Sequence, residues 1–368
     1  MNKFLPGPGL LRFALALIVV VHHSFPLRMG SWAVYAFFIL SGYWIARMWA
    51  EKYVQTRSAC LTFICSRWCR LAPVFFVSLA LAFVSSSVVP GAPPLPQNLL
   101  EWALRQLPIL GSKSAGSILP PAWSLDVEMQ FYLAFALLMF IGGFLRPRVV
   151  NWLVAVLAVA SFAFLLLEAG VRVVENTSSL PLYFWLFAIG MAFYHLRWAP
   201  SRRTALVSAS LFIAVTAGFL LWPATRGAIW FRGAAGAAQA HAAAWDPRLL
   251  VHLWWALGAL VFAPFIAWNV LQKSDARDRM LGNWAYPLYL FHWIPRDAYY
   301  SVVNWSSFAW QNAFLLLANF AAALSGSWLI WKWIDQPLDR WRSRWVHSRL
   351  LPAQPDLSQP LLIPHPSS

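Results

Sequence analysis

The sequence predicts an all-α fold, a polytopic membrane helix bundle of about ten transmembrane helices with both termini cytoplasmic. Three observations carry that prediction. Of the 368 residues, 60% are hydrophobic and 11% charged, with a mean hydropathy of +0.58, whereas a soluble domain carries about 25% charged residues. Apolar blocks close to 20 residues long recur along the chain, the length that a hydrocarbon core about 30 Å thick demands. Many of the 24 Trp flank those blocks, where an amphipathic ring favours the membrane–water interface.

The blocks place helices at 10–27, 31–49, 71–89, 127–145, 149–167, 181–196, 205–222, 249–271, 284–303 and 312–333. The first begins near Leu10 and has no small-residue cleavage site after it, so it reads as a retained helix. A Pro-rich loop at 90–122 ends in Pro120-Pro121, and Ser124 is placed to cap the helix that follows. The loop at 223–248 contains the run GAAGAAQAHAAA, a flexible or weakly helical hairpin. After Asp335 the chain turns basic, then Pro- and Ser-rich from Pro352 to Ser368, which predicts a disordered tail at the inner surface. The organisation is one membrane domain, 1–335, and a cytoplasmic tail, 336–368.

A net charge of +15 raises the question of nucleic acid, and its distribution answers it. With the N-terminus inside, nineteen of the 28 Lys and Arg fall in inside segments and eight in outside segments, and Arg12 lies within the first helix. Every inside loop is basic, so the charge expresses topology rather than a nucleic-acid surface. Cys60, Cys65 and Cys69 fall near the second inside loop, at spacings that match no zinc or CxxC pattern, and read as ordinary thiols. No metal site is expected.

In an apolar bundle the informative residues are the polar ones, which are costly unless paired or functional. In LLRFALALIVVVHHSF, Arg12 and His23 are eleven steps apart, about 1100° of rotation, so they share one helix face within about 20°. They are separated by about 16 Å along the axis. A guanidinium at the inner end suits phosphate, and an imidazole at the outer end suits proton transfer. A snorkelling Arg with a structural His pair fits the same geometry, and His22 points about 100° away. In PPAWSLDVEMQFYL, Asp126 and Glu128 stand near a helix start, where acids complement the dipole. Glu128 lies deeper, with Tyr132 one turn on, at a depth that could match His23. In SRWCRLAPVF, Arg67 and Arg70 are neighbours on one face, a phosphate clamp or a positive-inside anchor. His292, in YPLYLFHWI, reads as a packed histidine. No Gly-rich phosphate loop, GxSxG or HExxH occurs.

Together these motifs resemble the acyltransferase type 3 family, bacterial membrane O-acyltransferases that modify surface carbohydrates. GLLRFALALIVVVHH resembles its opening helix, FFILSGYWIA its second-helix signature, and SRWCRLAPVF its basic pair. WSLDVEMQFYL, YPLYLFHW and WIDQPLDRWR resemble its WSL-VE-QFYL, Tyr-Leu-x-His and closing E-x-P segments. Six motifs stand in the family's order over nearly the whole chain. Two departures stand out: Met129 replaces the second of two adjacent acids, and Asp335 replaces a Glu. Some members carry a further extracytoplasmic domain, for which this chain ends too soon.

The resemblance implies an acyltransferase of the bacterial inner membrane. Acyl-CoA, with acetyl as the expected group, would be held on the cytoplasmic side by Arg12, Arg67 and Arg70. Its pantetheine arm would run along the Arg12–His23 stripe. His23 would act as general base on a hydroxyl of a carbohydrate or lipid-linked glycan acceptor, with Glu128 orienting or recharging it. Membrane lipids are the other partner. Two other classes compete: a proton-coupled secondary transporter using Arg12, Glu128 and His23 as a relay, which internal repeats would support, and an assembly subunit packing through its Trp-rich faces.

Overall fold

The structure is a computed structural model and describes residues 7–25, 27–89, 95–110, 118–171, 177–230, 247–303 and 310–351. In chain order the helices are α1 Pro8–Ser24, α2 Gly30–Glu51, α3 Ala59–Val88, α4 Leu99–Gln106, α5 Trp123–Gly142, α6 Pro147–Val171 and α7 Phe184–His195. They continue with α8 Arg202–Leu221, α9 Pro247–Asn269, α10 Ala276–Phe291, α11 Trp293–Val302, α12 Trp310–Ile330 and α13 Gln336–His347. No sheet forms among the described residues, as backbone polar groups in hydrocarbon must be satisfied within helices. Seven helical stretches among them are long and apolar enough to cross a membrane, and α1 and α7 are shorter apolar helices.

Several boundaries differ from the expected ones, for identifiable reasons. α3 starts at Ala59, not at 71, so Arg67 and Arg70 lie inside a helix of 30 residues, about 45 Å long. α5 starts at Trp123 behind a 3₁₀ turn at Pro120–Ala122. Ser124 is therefore inside the helix and is not its cap. Its Oγ instead lies 2.8 Å from the Tyr289 hydroxyl. The span expected at 284–303 is two helices broken at His292. Pro295 has no N–H to give the Phe291 carbonyl, which weakens the helix at this place, whereas Pro73, Pro264 and Pro287 sit inside helices that continue past them. α4, absent from the sequence reading, is capped by Asn98, whose side chain accepts from Glu101 N–H at 3.1 Å.

Residues 336–347, read as the start of a tail, form α13. It continues α12 through a π turn at Trp331–Asp335, where the Gln336 N–H reaches back to the Trp331 carbonyl. Pro337 cannot donate to the carbonyl four residues back, and widening the helix by one residue absorbs the defect. Residues 352–368 and the Ala-rich run at 231–246 lie outside the described residues.

α2 and α9 are the innermost long helices, each with 61% of its apolar window buried, while α6 and α8 bury 11% and 17% and present Val, Leu and Phe outward. Two close crossings fix the elements around the site. A Cβ on Gly42 would come within 2.1 Å of the Phe187 carbonyl, and one on Gly190 within 2.0 Å of the Ile39 carbonyl. Only glycines let α2 and α7 approach so nearly, the small-residue packing of membrane bundles. Likewise a Cβ on Gly282 would meet the Gly9 Cα at 2.8 Å, so α1 lies directly on α10. There Asp278 caps α1 from outside: its carboxylate accepts from Gly9 N–H at 3.0 Å and Leu10 N–H at 2.8 Å. Those amides have no partner within α1.

Candidate functional site

One cavity of about 1000 Å³ opens between α1, α2, α3, α5 and α10, at the upper end of the range for small-ligand sites. Arg12, Arg67, Arg70 and Glu128 all line it. Four of the five residues singled out from the sequence thus share one space.

Arg12, Arg67 and Arg70 come from two helices and are held differently. Arg12 lies over the Trp44 ring, 5.1 Å from its centroid, and Arg47 lies 5.4 Å from the same ring. Arg67 is buried and donates to the Tyr53 hydroxyl at 2.7 Å, which in turn lies 2.8 Å from Ser66 Oγ. Its Nε has no partner. Arg70 forms an ion pair with buried Asp335 and lies over the Tyr286 ring at 5.6 Å. The π turn explains how Asp335 reaches α3. Arg342 and Asp339 of α13, paired at 2.6 Å, add to the cavity wall, and Arg342 also donates to Ser66 Oγ at 2.8 Å. A buried guanidinium has to be paired to be tolerated, and each of these has its fixed partners. All three of Arg12, Arg67 and Arg70 line the cavity, and a guanidinium fork suits phosphate oxygens.

Glu128 accepts hydrogen bonds from Ser41 Oγ at 2.8 Å and from the Tyr132 hydroxyl. Ser41 is eleven residues down α2 from Gly30, about 16 Å, and Trp44, the partner of Arg12, is three residues further. Gly30 packs on the His22 ring at the far end of α1. Glu128 therefore lies near the level of Arg12 and well below His23. Glu128 shares the cavity wall with Arg12, and His23 is not on that wall.

His23 sits at the opposite end of α1 in an aromatic box, off the cavity wall. The His292 ring stacks on it, with centroids 5.3 Å apart and planes 20° apart, and Trp293 stands edge-on at 5.0 Å. His22 is turned to the Leu27 carbonyl, its Nδ1 at 2.7 Å. His292, read from the sequence as a packed core residue, is the functional candidate that reading missed. It is buried, its Nδ1 lies 3.2 Å from the Leu288 carbonyl, and its Nε2 has no partner. An ionisable residue inside a span was the available signal, and the helix break at that residue is what aims it toward α1. Tyr289 connects the two ends: it lines the cavity, and its ring lies 6.4 Å from that of His292. Its hydroxyl donates to the Pro121 carbonyl at 3.0 Å.

Among the described residues no three His, Cys, Asp or Glu side chains converge as metal ligands. The three cysteines are free thiols on α3.

A family model described as an acyltransferase domain matches residues 5–332. No curated protein and no solved structure matches the chain.

Proposed function

The chain belongs to the acyltransferase type 3 family, and on that premise we propose that it moves an acyl group, acetyl in the first instance, from cytoplasmic acyl-CoA to a hydroxyl of a carbohydrate or glycolipid at the outer side of the bacterial inner membrane. The observation that supports this reading best is the convergence of Arg12, Arg67 and Arg70 on one large cavity. A donor with several phosphates needs such a cation set, whereas a single proton relay would not. The arrangement takes the phosphates on the three guanidiniums, and Glu128 accepts an amide N–H of the pantetheine arm. The arm passes Tyr289 toward His23, along the roughly 16 Å of α1 that separate Arg12 from His23.

At that end His23 takes the proton of the acceptor hydroxyl as its oxygen attacks the thioester carbonyl. The C–O bond forms, the C–S bond breaks, and the proton passes from His23 to the departing thiolate, giving an ester and free CoA. This reading places ten spans in the membrane, counting the α10–α11 pair as one, with both termini inside.

The test is purified protein in lipid nanodiscs with acetyl-CoA labelled in the acetyl group and the glycan fraction of its host. Label in the glycan, with release of free thiol, is the expected result. Thiol release without glycan label, or no turnover at all, would overturn the reading. Topology is tested by single cysteines: one at Glu101 should react with an impermeant maleimide from outside, and one at Ser201 should not. The reverse pattern moves the cation cluster to the wrong side for a cytoplasmic donor.

A further inference from the structure

α13 carries a surface that the cavity does not use. It runs antiparallel to the first turns of α3: Asp335 meets Arg70, Arg342 meets Ser66, and Leu350 bridges to Thr56. At about 45 Å, α3 exceeds a hydrocarbon core of about 30 Å, so an upright α3 has about 15 Å to spare, enough to bring the α3–α13 pair to the lipid headgroups. Both acids of this segment, Asp335 and Asp339, are ion-paired with Arg70 and Arg342.

The outward face is cationic and aromatic. Trp333 is 69% exposed and Trp341 51%, and Lys332 lies 5.9 Å from the Trp333 ring. Arg340 and Arg344 are exposed, four positions apart and so on one face. Neither makes an ion pair among the described residues. Bare indoles of this size are disfavoured in water and favoured in the headgroup layer, and guanidinium forks pair with phosphate diesters. Charge complementarity selects the occupant.

We propose that α13 docks on anionic phospholipid headgroups through Arg340 and Arg344, with Trp333 and Trp341 seated among them. The same helix lends Asp339 and Arg342 to the cavity wall, so the lipid contact sets the position of that wall. The proposal depends on membrane insertion and not on the acyl-transfer reading.

The experiment exposes the detergent-purified protein to equal amounts of phosphatidylglycerol and phosphatidylcholine and counts retained lipids by native mass spectrometry. The wild-type chain should retain phosphatidylglycerol preferentially, and high salt should erode the preference. Each cation removed should weaken it about fivefold, so Arg340→Gln with Arg344→Gln should weaken it on the order of 25-fold. The corresponding Lys pair should keep most of it. The exposed turn at Arg146 and Arg148 supplies the control, and neutralising both should weaken the preference less than the α13 pair does. An absent preference in the wild-type chain, an unaltered one in the Gln pair, or an equal loss from the Arg146 and Arg148 control would each overturn the proposal.

Discussion

The two ends of α1 solve opposite problems. At the Arg12 end, charged groups line a large space, and three of them are each steadied by a side chain outside their own helix: Trp44 under Arg12, Tyr53 on Arg67, Asp335 on Arg70. At the His23 end the near neighbours are aromatic rings, and His292 Nε2 and Trp293 Nε1 have no hydrogen-bond partner. Binding charge is held by paired polar networks, and the imidazole is held by packing. The difference teaches that damage at the two ends should separate into binding and chemistry.

The largest expected effect is at the packed end. His23→Ala should lower the transfer rate at saturating donor by about 10²–10⁴-fold and leave donor affinity nearly unchanged, measured side by side on one preparation. A parallel loss of donor binding would erase the distinction between the ends. Arg12→Ala should do the converse, weakening donor binding by about tenfold to a hundredfold through loss of charge-assisted hydrogen bonds. Lys at that position should recover only part, because an ammonium lacks the bidentate fork.

Glu128→Gln decides to which end that acid belongs. Gln keeps an acceptor for Ser41 and Tyr132 and loses only the charge, so donor KM should rise about fivefold. The pH profile of kcat should stay where it is. A displaced profile would return Glu128 to the service of His23. The smallest effect should come from His22→Ala, about twofold to threefold in transfer rate, since its ring serves the Leu27 carbonyl and the Gly30 contact. A loss as deep as that of His23→Ala would show that the aromatic box needs both imidazoles.

What the sequence made legible was whatever lies within one helix. Arg12 and His23 share a face by counting residues, and so do Arg67 and Arg70. Hydrophobic length alone located most of the spans. One misreading concerned the depth of a residue along its helix. The fourth helix was expected to be capped by Ser124, with Glu128 at a depth that could match His23. Its start at Trp123 behind the 3₁₀ turn and the Ser41 hydrogen bond put Glu128 near the level of Arg12 instead. Pairings between helices were not legible at all. His292 meets His23, and Asp335 meets Arg70, only because the α10 break and the π turn redirect side chains, and neither distortion leaves a periodic trace. Prolines mark both places, Pro295 and Pro337, and that punctuation was the available hint.

The cap that Asp278 places on α1 has a consequence for how the chain is made. The amide of Gly9 waits for a carboxylate 269 positions later in the chain. At about 5–20 residues per second, roughly 13–54 s pass between synthesis of the first helix and arrival of its cap. During that interval α1 has neither its stopper nor the α10 surface it lies against. A helix made early is thus among the last to be locked, and a chain interrupted before α10 carries both Arg12 and His23 without a site to hold them.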